Sequence, residues 1–292
     1  MSIKLENLVL ASPEQMSFII QGLRDPFNSH NKSDSGYYNQ CDECCSLYDF
    51  LIGANDHSLM QRLANAGTDH RKFMRTMPVY VRITAPLYWW KEFDTYKVGT
   101  VANSCSTMHK IQEKEFTLLD FSHEHMTPYT LIILEDTINA LNELRAFYLN
   151  WDSINDATRK VNEWNEKKDI WWQMIQLLPS SYNQTRNIMM NYEVLANIYK
   201  SRRNHKLDEW VEFCKWIEEL PYSELITGVC NKDLVEVTRC KDCQLYISAE
   251  NMKKDPEYKK YDNKLGHDGL CEGTDKWTDE TDYCSCGKNK ED

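Results

Sequence analysis

The hydrophobic positions of this chain recur at helical spacing over long stretches and alternate in one short run. Between Thr127 and Trp151, apolar residues return every three or four positions behind a Thr-Pro start, which predicts a long core helix. From 79 to 83, apolar and polar residues alternate, which predicts a half-buried strand. A capping box at Ser12 predicts a helix to about Arg24. The pattern therefore indicates a mixture of helices and sheet.

Further stretches carry patterns of their own. The short apolar run Leu5–Leu10 opens the chain, and residues 25–40, rich in Asn, Ser, Asp and Gly, predict a loop. The other predicted elements are a helix over 47–67, a short helix from Thr68 through Arg75, one helical segment over 153–178, and an amphipathic helix from Trp210 to Leu220 that Pro221 ends.

The stretch from Leu178 to Trp210 combines a turn, an extended run and a helix. Pro179 and the serines after it predict the turn, because proline fixes φ and serine bonds to the local backbone. Asn191 is the expected N-cap of the helix. The apolar face of this helix ends in a cation, Arg202, at the edge of the core, where an anion can meet it.

An aromatic cluster follows the predicted strand and allows two interpretations. Its rings can stack on a planar ligand such as an isoalloxazine or a base, with Lys97 supplying charge to a phosphate. Alternatively the rings belong to the core, which is the commoner role of aromatic residues at helical spacing. The cluster comprises Tyr88, Trp89, Trp90, Phe93 and Tyr96.

The charge and composition of the chain exclude some partners. The 292 residues carry a net charge of −11, so direct nucleic-acid binding, which needs a basic surface, is not expected. There is no long apolar run and no signal-peptide pattern, so we expect a cytoplasmic protein that does not enter a membrane. The 11 cysteines fit a reducing compartment, where clustered cysteines more often bind metal than form disulfides.

The cysteines near the C-terminus predict a metal site. The chain from Cys240 is polar and has too few aliphatic residues to fold alone, and a tetrahedral zinc thiolate site would supply the missing stabilisation. We therefore expect two domains, a main domain over 1–228 and a zinc ribbon over 229–292. The alternative is that the tail is disordered and that its cysteines do not bind a metal. The ribbon looks like those at the ends of some phage and mobile-element proteins, and its acidic balance favours a protein contact over DNA. The predicted ligands are Cys240, Cys243, Cys271 and either Cys284 or Cys286.

Two other clusters of candidate ligands are weaker. Cys41, Cys44 and Cys45 supply half of a zinc site with no second half nearby, which favours buried or redox-silent thiols. His123 and His125 share a face only on a strand and have no evident third ligand, so a surface loop is expected there.

The spacing across 178–210 resembles the C-terminal half of the flavin-dependent thymidylate synthase family. That family's pattern runs from an LP turn through twelve residues to the Asn of a TMNxRxL-like segment, and through eleven more to the Arg of an LRxxxxAQxE-like segment. Here Pro179, Asn191 and Arg202 keep both spacings, and Met190 precedes the asparagine.

The chain also departs from that pattern. Beyond Arg202, Asp208 and Trp210 stand where Gln and Glu are usual, and a one-residue shift is needed to bring in His205 and Glu209. The family's RHRxxSxxxxSxRY signature, whose arginines and serines grip the flavin and the nucleotide phosphate, is not present. Because this signature is absent, we hypothesise that the substrate differs from the one that the family uses. The basic and hydroxyl residues available in that region are Lys91, Lys97, His109, Lys110, Thr95, Thr100, Ser104, Ser106 and Thr107.

The resemblance implies an α+β fold with a sheet flanked by long helices, in a tetramer whose sites are completed by neighbouring subunits. It implies FAD, NADPH and methylenetetrahydrofolate as cofactors of one-carbon transfer to C5 of dUMP or a related pyrimidine nucleotide. By the resemblance, Arg202 is the catalytic residue that contacts the pyrimidine, and Asn191 lies by the flavin or the nucleotide. The other cofactor-binding candidates are Lys97, Ser104, Ser106 and His109.

Two further functions fit the sequence. One is a catalytically silent relative that binds a nucleotide or a protein partner. The other is a purely helical scaffold with no small-molecule site. Bound flavin favours the enzyme, nucleotide binding without flavin favours the silent relative, and helix content without strands favours the scaffold.

Overall fold

The computed structural model describes residues 3–39, 48–228, 246–248, 269–271 and 276–278. The strands in these ranges are β1 (Lys4–Leu10), β2 (Gly36–Asn39), β3 (Tyr48–Leu51), β4 (Pro78–Pro86), β5 (Val101–Ser104), β6 (Asn183–Asn191), β7 (Tyr246–Ser248), β8 (Gly269–Cys271) and β9 (Lys276–Thr278). The helices are α1 (Pro13–Arg24), α2 (Ala54–Asn65), α3 (Leu87–Phe93), α4 (Thr107–Lys110), α5 (Pro128–Leu149), α6 (Asp156–Val161), α7 (Lys167–Leu177), α8 (Tyr192–Arg202), α9 (Asp208–Glu218) and α10 (Glu224–Thr227).

A four-stranded antiparallel sheet in the order β1-β4-β6-β5 forms the centre of the fold. Strands β4 and β6 pair along their whole length, from Pro78 opposite Asn191 to Pro86 opposite Asn183. The alternation predicted from the sequence is confirmed, because every second residue of 79–85 is buried on one face of the sheet.

Helices α1, α2, α3, α8 and α9 share the main hydrophobic core with the buried face of this sheet. Helix α1 begins at the predicted capping box, where Ser12 and Gln15 exchange hydrogen bonds, and it ends at Arg24 as predicted. Helix α9 contributes Trp210 and Phe213, both fully buried.

Helices α5 and α7 pack against each other and form a second, smaller core. The predicted start of α5 is confirmed, because the Thr127 side chain accepts a hydrogen bond from Thr130 N. The helix buries Leu134, Ile138 and Leu141, which follow one another at spacings of three and four residues.

The single helical segment predicted over 153–178 is wrong. Helix α6 ends at Val161 and α7 begins at Lys167. Between them, Glu163 adopts a left-handed φ of 56°, which a continuous helix does not allow.

Two other predicted helices also differ from the structure. The segment over 47–67 becomes helical only at Ala54, because strand β3 pairs with β2 before it. The helix predicted from Thr68 through Arg75 is instead the 3-10 helix Arg71–Thr76.

Strands β7, β8 and β9 form a three-stranded antiparallel sheet in that order, in addition to the two-stranded sheet of β2 and β3. Cys271 is the last residue of β8, but the other proposed zinc ligands lie outside the described residues, so the ribbon and the boundary at 228 stay predictions. The ligands outside the described residues are Cys240, Cys243, Cys284 and Cys286, and the N-terminal cluster of Cys41, Cys44 and Cys45 also lies outside them. Among the helices described, none combines the length and the apolar character needed to cross a membrane.

Candidate functional site

Helix α8 begins and ends at the two residues that the sequence spacing indicated. Asn191 is both the last residue of β6 and the N-cap of α8, and its Oδ1 accepts a hydrogen bond from Val194 N at 3.0 Å. The apolar face of the helix buries Leu195 and Ile198 completely. Arg202 is the last helical residue, and its side chain is 19% exposed. The predicted strand, cap and helix are therefore confirmed.

The loop between α3 and β5 contacts both ends of α8. At the N-terminal end, a Cβ on Gly99 would lie 3.0 Å from Asn191 Nδ2, and the φ of +79° at this position suits glycine. At the C-terminal end, Tyr96 Oη accepts a hydrogen bond from Arg202 Nε at 2.9 Å. These two contacts fix the loop segment that carries Lys97.

Arg202 forms an ion pair with Glu92. Its Nη1 donates to Glu92 Oε2 at 2.7 Å; the same oxygen accepts from Trp210 Nε1 at 2.9 Å and lies 3.5 Å from His205 Nε2. The guanidinium carbon lies 4.8 Å from the centroid of the Trp210 ring and 5.7 Å from that of Tyr96. No described residue accepts from Arg202 Nη2 or donates to Glu92 Oε1. The pair is formally neutral, yet it keeps one free donor edge and one free acceptor.

An open groove of about 250 Å³ meets this network at Tyr96, which lines the groove and bonds to Arg202, while neither Arg202 nor Glu92 lines it. Thr100 lines the groove, and its buried Oγ1 has no hydrogen-bond partner among the described residues. Lys97 is exposed at the same place and has no described carboxylate partner. The groove is lined by Phe93, Asp94, Tyr96, Lys97, Thr100 and Ala102.

Strand β5 carries Ser104 two residues after Ala102, which lines the groove. Ala102 and Ser104 share one face of β5, opposite Ile188 and Arg186 of β6. Arg186 Nη1 donates to Asp94 Oδ1 at 2.7 Å, and its guanidinium lies 4.2 Å from the Trp90 ring centroid. The Arg186 side chain is therefore fixed by Asp94 and Trp90.

Of the six residues predicted for catalysis and cofactor binding, one lines the groove, three contact or neighbour its lining residues, and two lie elsewhere. Ser106 and His109 lie beyond β5, at and within the short helix α4, and both are exposed. No described contact links either side chain to the groove. Lys97 lines the groove. Arg202 contacts its lining residue Tyr96, Asn191 lies close to Gly99 of the same loop, and Ser104 follows the lining residue Ala102 by two positions on β5.

Glu209, which a one-residue shift aligns with the family pattern, lies in a separate polar network. It is 4% exposed and accepts a hydrogen bond from Tyr88 Oη, which also lies 3.1 Å from Ser122 Oγ. Burial first, and then the bond to Glu209, raise the pKa of Tyr88 to about 12. Neither residue lines the groove.

The aromatic cluster is mainly core. Trp89 and Trp90 are completely buried and Phe93 is 2% exposed, so the core interpretation is confirmed for these three rings. Tyr88 and Tyr96 are partly buried and place their hydroxyls in the polar networks described above.

The loop with His123 and His125 is a loop in the structure, as predicted. His123 Nδ1 lies 2.8 Å from Phe121 O, and His125 Nε2 lies 2.8 Å from Asp208 Oδ2. Within the part of the chain that the structure describes, no group of three His, Cys, Asp or Glu side chains is arranged to hold a metal ion.

Sequence reasoning missed Glu92. It precedes Arg202 by 110 positions, and a glutamate beside a lysine near the end of a short helix has the pattern of a solvated face. No local signal marks it, because its partner is set by how α3 and α8 pack in the tertiary fold.

Comparisons with known proteins give a likeness of fold. No family model matches the chain, and no curated protein matches it. A structure of Thymidylate Synthase X (ThyX) from Helicobacter pylori with FAD and dUMP has a TM-score of 0.50 and 16% identity, over 78% of this chain and 97% of that chain.

Two further solved structures are somewhat less similar. A second structure of the Helicobacter pylori flavin dependent thymidylate synthase, complexed with FAD and dUMP, has a TM-score of 0.49 and 17% identity over 78% of this chain and 97% of that chain. A UMP/dUMP methylase, PolB from Streptomyces cacaoi, bound with 5-Br dUMP, has a TM-score of 0.45 and 12% identity over 78% and 95%. The structure with a TM-score of 0.50 shows, at 16% identity, that the fold of this chain is similar to that of Thymidylate Synthase X.

Proposed function

We propose that the protein binds a flavin and a pyrimidine nucleotide at the groove beside Arg202 and transfers a one-carbon unit to C5 of the pyrimidine. The placement of Arg202 carries this proposal, because a cation with a free donor edge ends the helix that Asn191 caps. The fold likeness to the thymidylate synthase with FAD and dUMP supports the two ligand classes.

The residues at the groove fit phosphate-bearing ligands in part. Lys97 supplies a positive charge at the groove, and the unpaired hydroxyl of Thr100, together with Ser104 on β5, would supply hydrogen bonds on ligand binding. A lysine acts as a point charge and does not reproduce the bidentate fork of the arginines that the family uses. When bound, the flavin would supply hydride chemistry, while Arg202 would stabilise negative charge that develops on the pyrimidine ring.

The finer parts of the proposal rest on the resemblance. We include NADPH as the reductant and methylenetetrahydrofolate as the one-carbon donor. The missing arginine signature supports an altered substrate, so dCMP and other pyrimidine nucleotides stand beside dUMP. The zinc ribbon, with Cys240, Cys243, Cys271 and Cys284 as ligands, belongs to the same proposal.

A homotetramer completes the proposal, because a groove of about 250 Å³ is smaller than the roughly 300–1,000 Å³ typical of small-molecule pockets. A second copy would supply the missing walls. Exposed apolar side chains on α5 support association, namely Tyr129 at 73%, Ile132 at 57% and Ile133 at 48%. The outer face of the sheet adds Val9 and Val101 at 57% and 61%.

The ion pair with Glu92 favours a second candidate function. A carboxylate already neutralises Arg202, so an anionic ligand has to compete with it. A catalytically silent relative that binds a nucleotide or a protein partner is compatible with this arrangement.

Flavin binding separates the two candidates. We would purify the full chain, incubate it with FAD and with dUMP or dCMP, and record the absorbance spectrum and the mass of any released cofactor. The enzyme proposal expects bound flavin whose spectrum one of the two nucleotides perturbs, and light scattering should give the mass of a tetramer. Nucleotide binding without flavin supports the silent relative.

Arg202→Ala tests the residue itself. It should abolish the nucleotide-dependent change in the flavin spectrum, whereas Arg202→Lys should retain part of it because the charge remains. The matched control is Arg62→Ala, an exposed arginine on α2. An unchanged nucleotide response in Arg202→Ala would remove Arg202 from the proposed site.

A further inference from the structure

A cleft of about 160 Å³ lies where helices α2, α8 and α10 end. Three cationic side chains line it, namely Arg71, Lys200 and Arg203. Arg203 is the residue after Arg202, but it lies on the face of α8 with Tyr199, so it lines this cleft while Arg202 contacts Tyr96.

Two of the three cations have no acidic partner. Within the described residues, neither Lys200 nor Arg203 forms an ion pair, and both are exposed. Arg71 donates to Glu193 Oε1 at 3.3 Å and to Asn197 Oδ1 at 2.9 Å.

The nearby acidic groups Glu193 and Glu218 are already engaged, and Asp69 interacts electrostatically with Arg75. Glu193 is almost completely buried, and Arg75 also donates to both of its oxygens. The hydrogen bond from Arg75 is the main reason that the pKa of Glu193 lies below its usual value. This carboxylate is therefore ionised, and both of its oxygens are already bound to arginines. Glu218 accepts a hydrogen bond from Tyr199 Oη at 2.7 Å.

The helix ends do not account for this excess of positive charge. A helix C-terminus carries roughly −0.5 of an elementary charge, so the two longer helices that end here, α2 and α8, contribute about −1 together. Glu193 contributes one negative charge, which Arg71 shares with Arg75. Lys200 and Arg203 therefore leave a local positive balance on a chain whose net charge is −11.

The size of the cleft limits the ligand. At roughly 30 Å³ per water molecule, about 160 Å³ holds about five waters. This is room for a phosphate or pyrophosphate group and is too small for a complete nucleotide. Arginine and lysine together, facing a concave surface, are the donors that phosphate oxygens require.

We propose that this cleft is a phosphate-binding site, in which Lys200, Arg203 and Arg71 bind an inorganic phosphate or pyrophosphate, or the terminal phosphates of a nucleotide whose base stays outside. The site lies apart from the groove and does not depend on the function proposed for it.

Isothermal titration of the full chain with phosphate, pyrophosphate and dATP, at constant ionic strength, tests the proposal. A purine nucleotide avoids the base specificity proposed for the groove. We expect saturable pyrophosphate binding that weakens at least ten-fold in the double variant Lys200→Gln/Arg203→Gln. Neither residue has a described side-chain contact that holds the fold, so the variant should fold.

The control is the double variant Arg62→Gln/Lys215→Gln, which removes the same charge at exposed positions outside the cleft. It should bind within two-fold of the native chain. Comparable affinities for pyrophosphate and dATP identify a free phosphate ligand, and a ten-fold preference for dATP identifies a nucleotide's phosphates. The proposal is overturned if no ligand binds more tightly than chloride at equal ionic strength, or if both double variants lose binding equally.

Discussion

Asp56 and Glu92 each accept hydrogen bonds from an arginine, but Asp56 is completely buried and the Glu92 side chain is 35% exposed. Asp56 Oδ1 accepts from Arg24 Nε at 2.6 Å, and Oδ2 accepts from Ser33 Oγ and Ser35 Oγ, each at 2.6 Å. Both oxygens of Asp56 are therefore occupied.

Glu92 concentrates its bonds on one oxygen. Arg202 and Trp210 both donate to Oε2, and among the described residues Oε1 has no donor. The difference shows two uses of the same chemical pair. A saturated, buried carboxylate fixes a loop to a helix, while a half-satisfied one orients an arginine and leaves part of it free for a ligand.

Asp56→Ala should produce the largest effect. Removing it leaves Arg24 buried without its partner and frees the loop of Ser33 and Ser35, so the free energy of unfolding should fall by about 3–5 kcal/mol. Urea denaturation followed by circular dichroism measures it. Asp136→Ala, at an exposed position on α5, should change stability by less than about 0.5 kcal/mol. Equal losses in the two variants would mean that the Asp56 network does not stabilise the fold.

Glu92→Ala should cost less, about 1–2 kcal/mol, chiefly because buried Trp210 Nε1 loses its acceptor. Glu92→Gln can keep that acceptor through its amide oxygen, so it should be closer to the native chain in stability. Because the glutamine no longer neutralises Arg202, dUMP or dCMP should bind several-fold more tightly, as measured by titration. If Glu92→Gln weakens nucleotide binding as much as Glu92→Ala does, the carboxylate charge is needed by the ligand and does not compete with it.

The smallest effect should be the change, in acid, of the contribution that Asp56 makes to the free energy of unfolding. Burial alone would raise the pKa of Asp56, but the bonds from Ser33, Ser35 and Arg24 outweigh it and hold this pKa below its usual value. A carboxyl whose folded pKa is lowered stabilises the protein above its unfolded pKa of about 3.9, and that contribution is lost as pH falls through the folded value.

The difference in the free energy of unfolding between the native chain and Asp56→Asn should therefore be constant near neutral pH. It should become smaller below about pH 4. Urea midpoints measured from pH 2 to 7 test this expectation. A difference that stays the same in acid would show that the network does not depend on an ionised Asp56.

Sequence reasoning succeeded where the signal is local. The caps at Ser12, Thr127 and Asn191 each accept a hydrogen bond from the backbone N–H three residues away, so the local sequence suffices to place them. The strand over 79–83 follows from alternation along a single buried face.

Sequence reasoning failed where a distant partner or an unusual backbone angle decides the structure. Strand β3 depends on pairing with β2, and the break before α7 depends on a left-handed glutamate, Glu163. At the candidate site, the spacing found Asn191 and Arg202, but Glu92 and Trp210 meet Arg202 only after folding. The cationic cleft was also missed, because Arg71 and Arg203 are far apart in the chain.

The direct junction of β6 and α8 at Asn191 has a consequence for how the chain tolerates length changes. Because no linker separates the strand from the helix, the end of β6 fixes the position and the orientation of Arg202 relative to the sheet. Inserting or deleting one residue within α8 would turn Arg202 by roughly 100° and move it by about 1.5 Å along the axis, away from Glu92 and Tyr96. The interval of eleven residues from Asn191 to Arg202 therefore sets the position of Arg202, and a change in its length would separate Arg202 from its partners even where every side chain of α8 is kept.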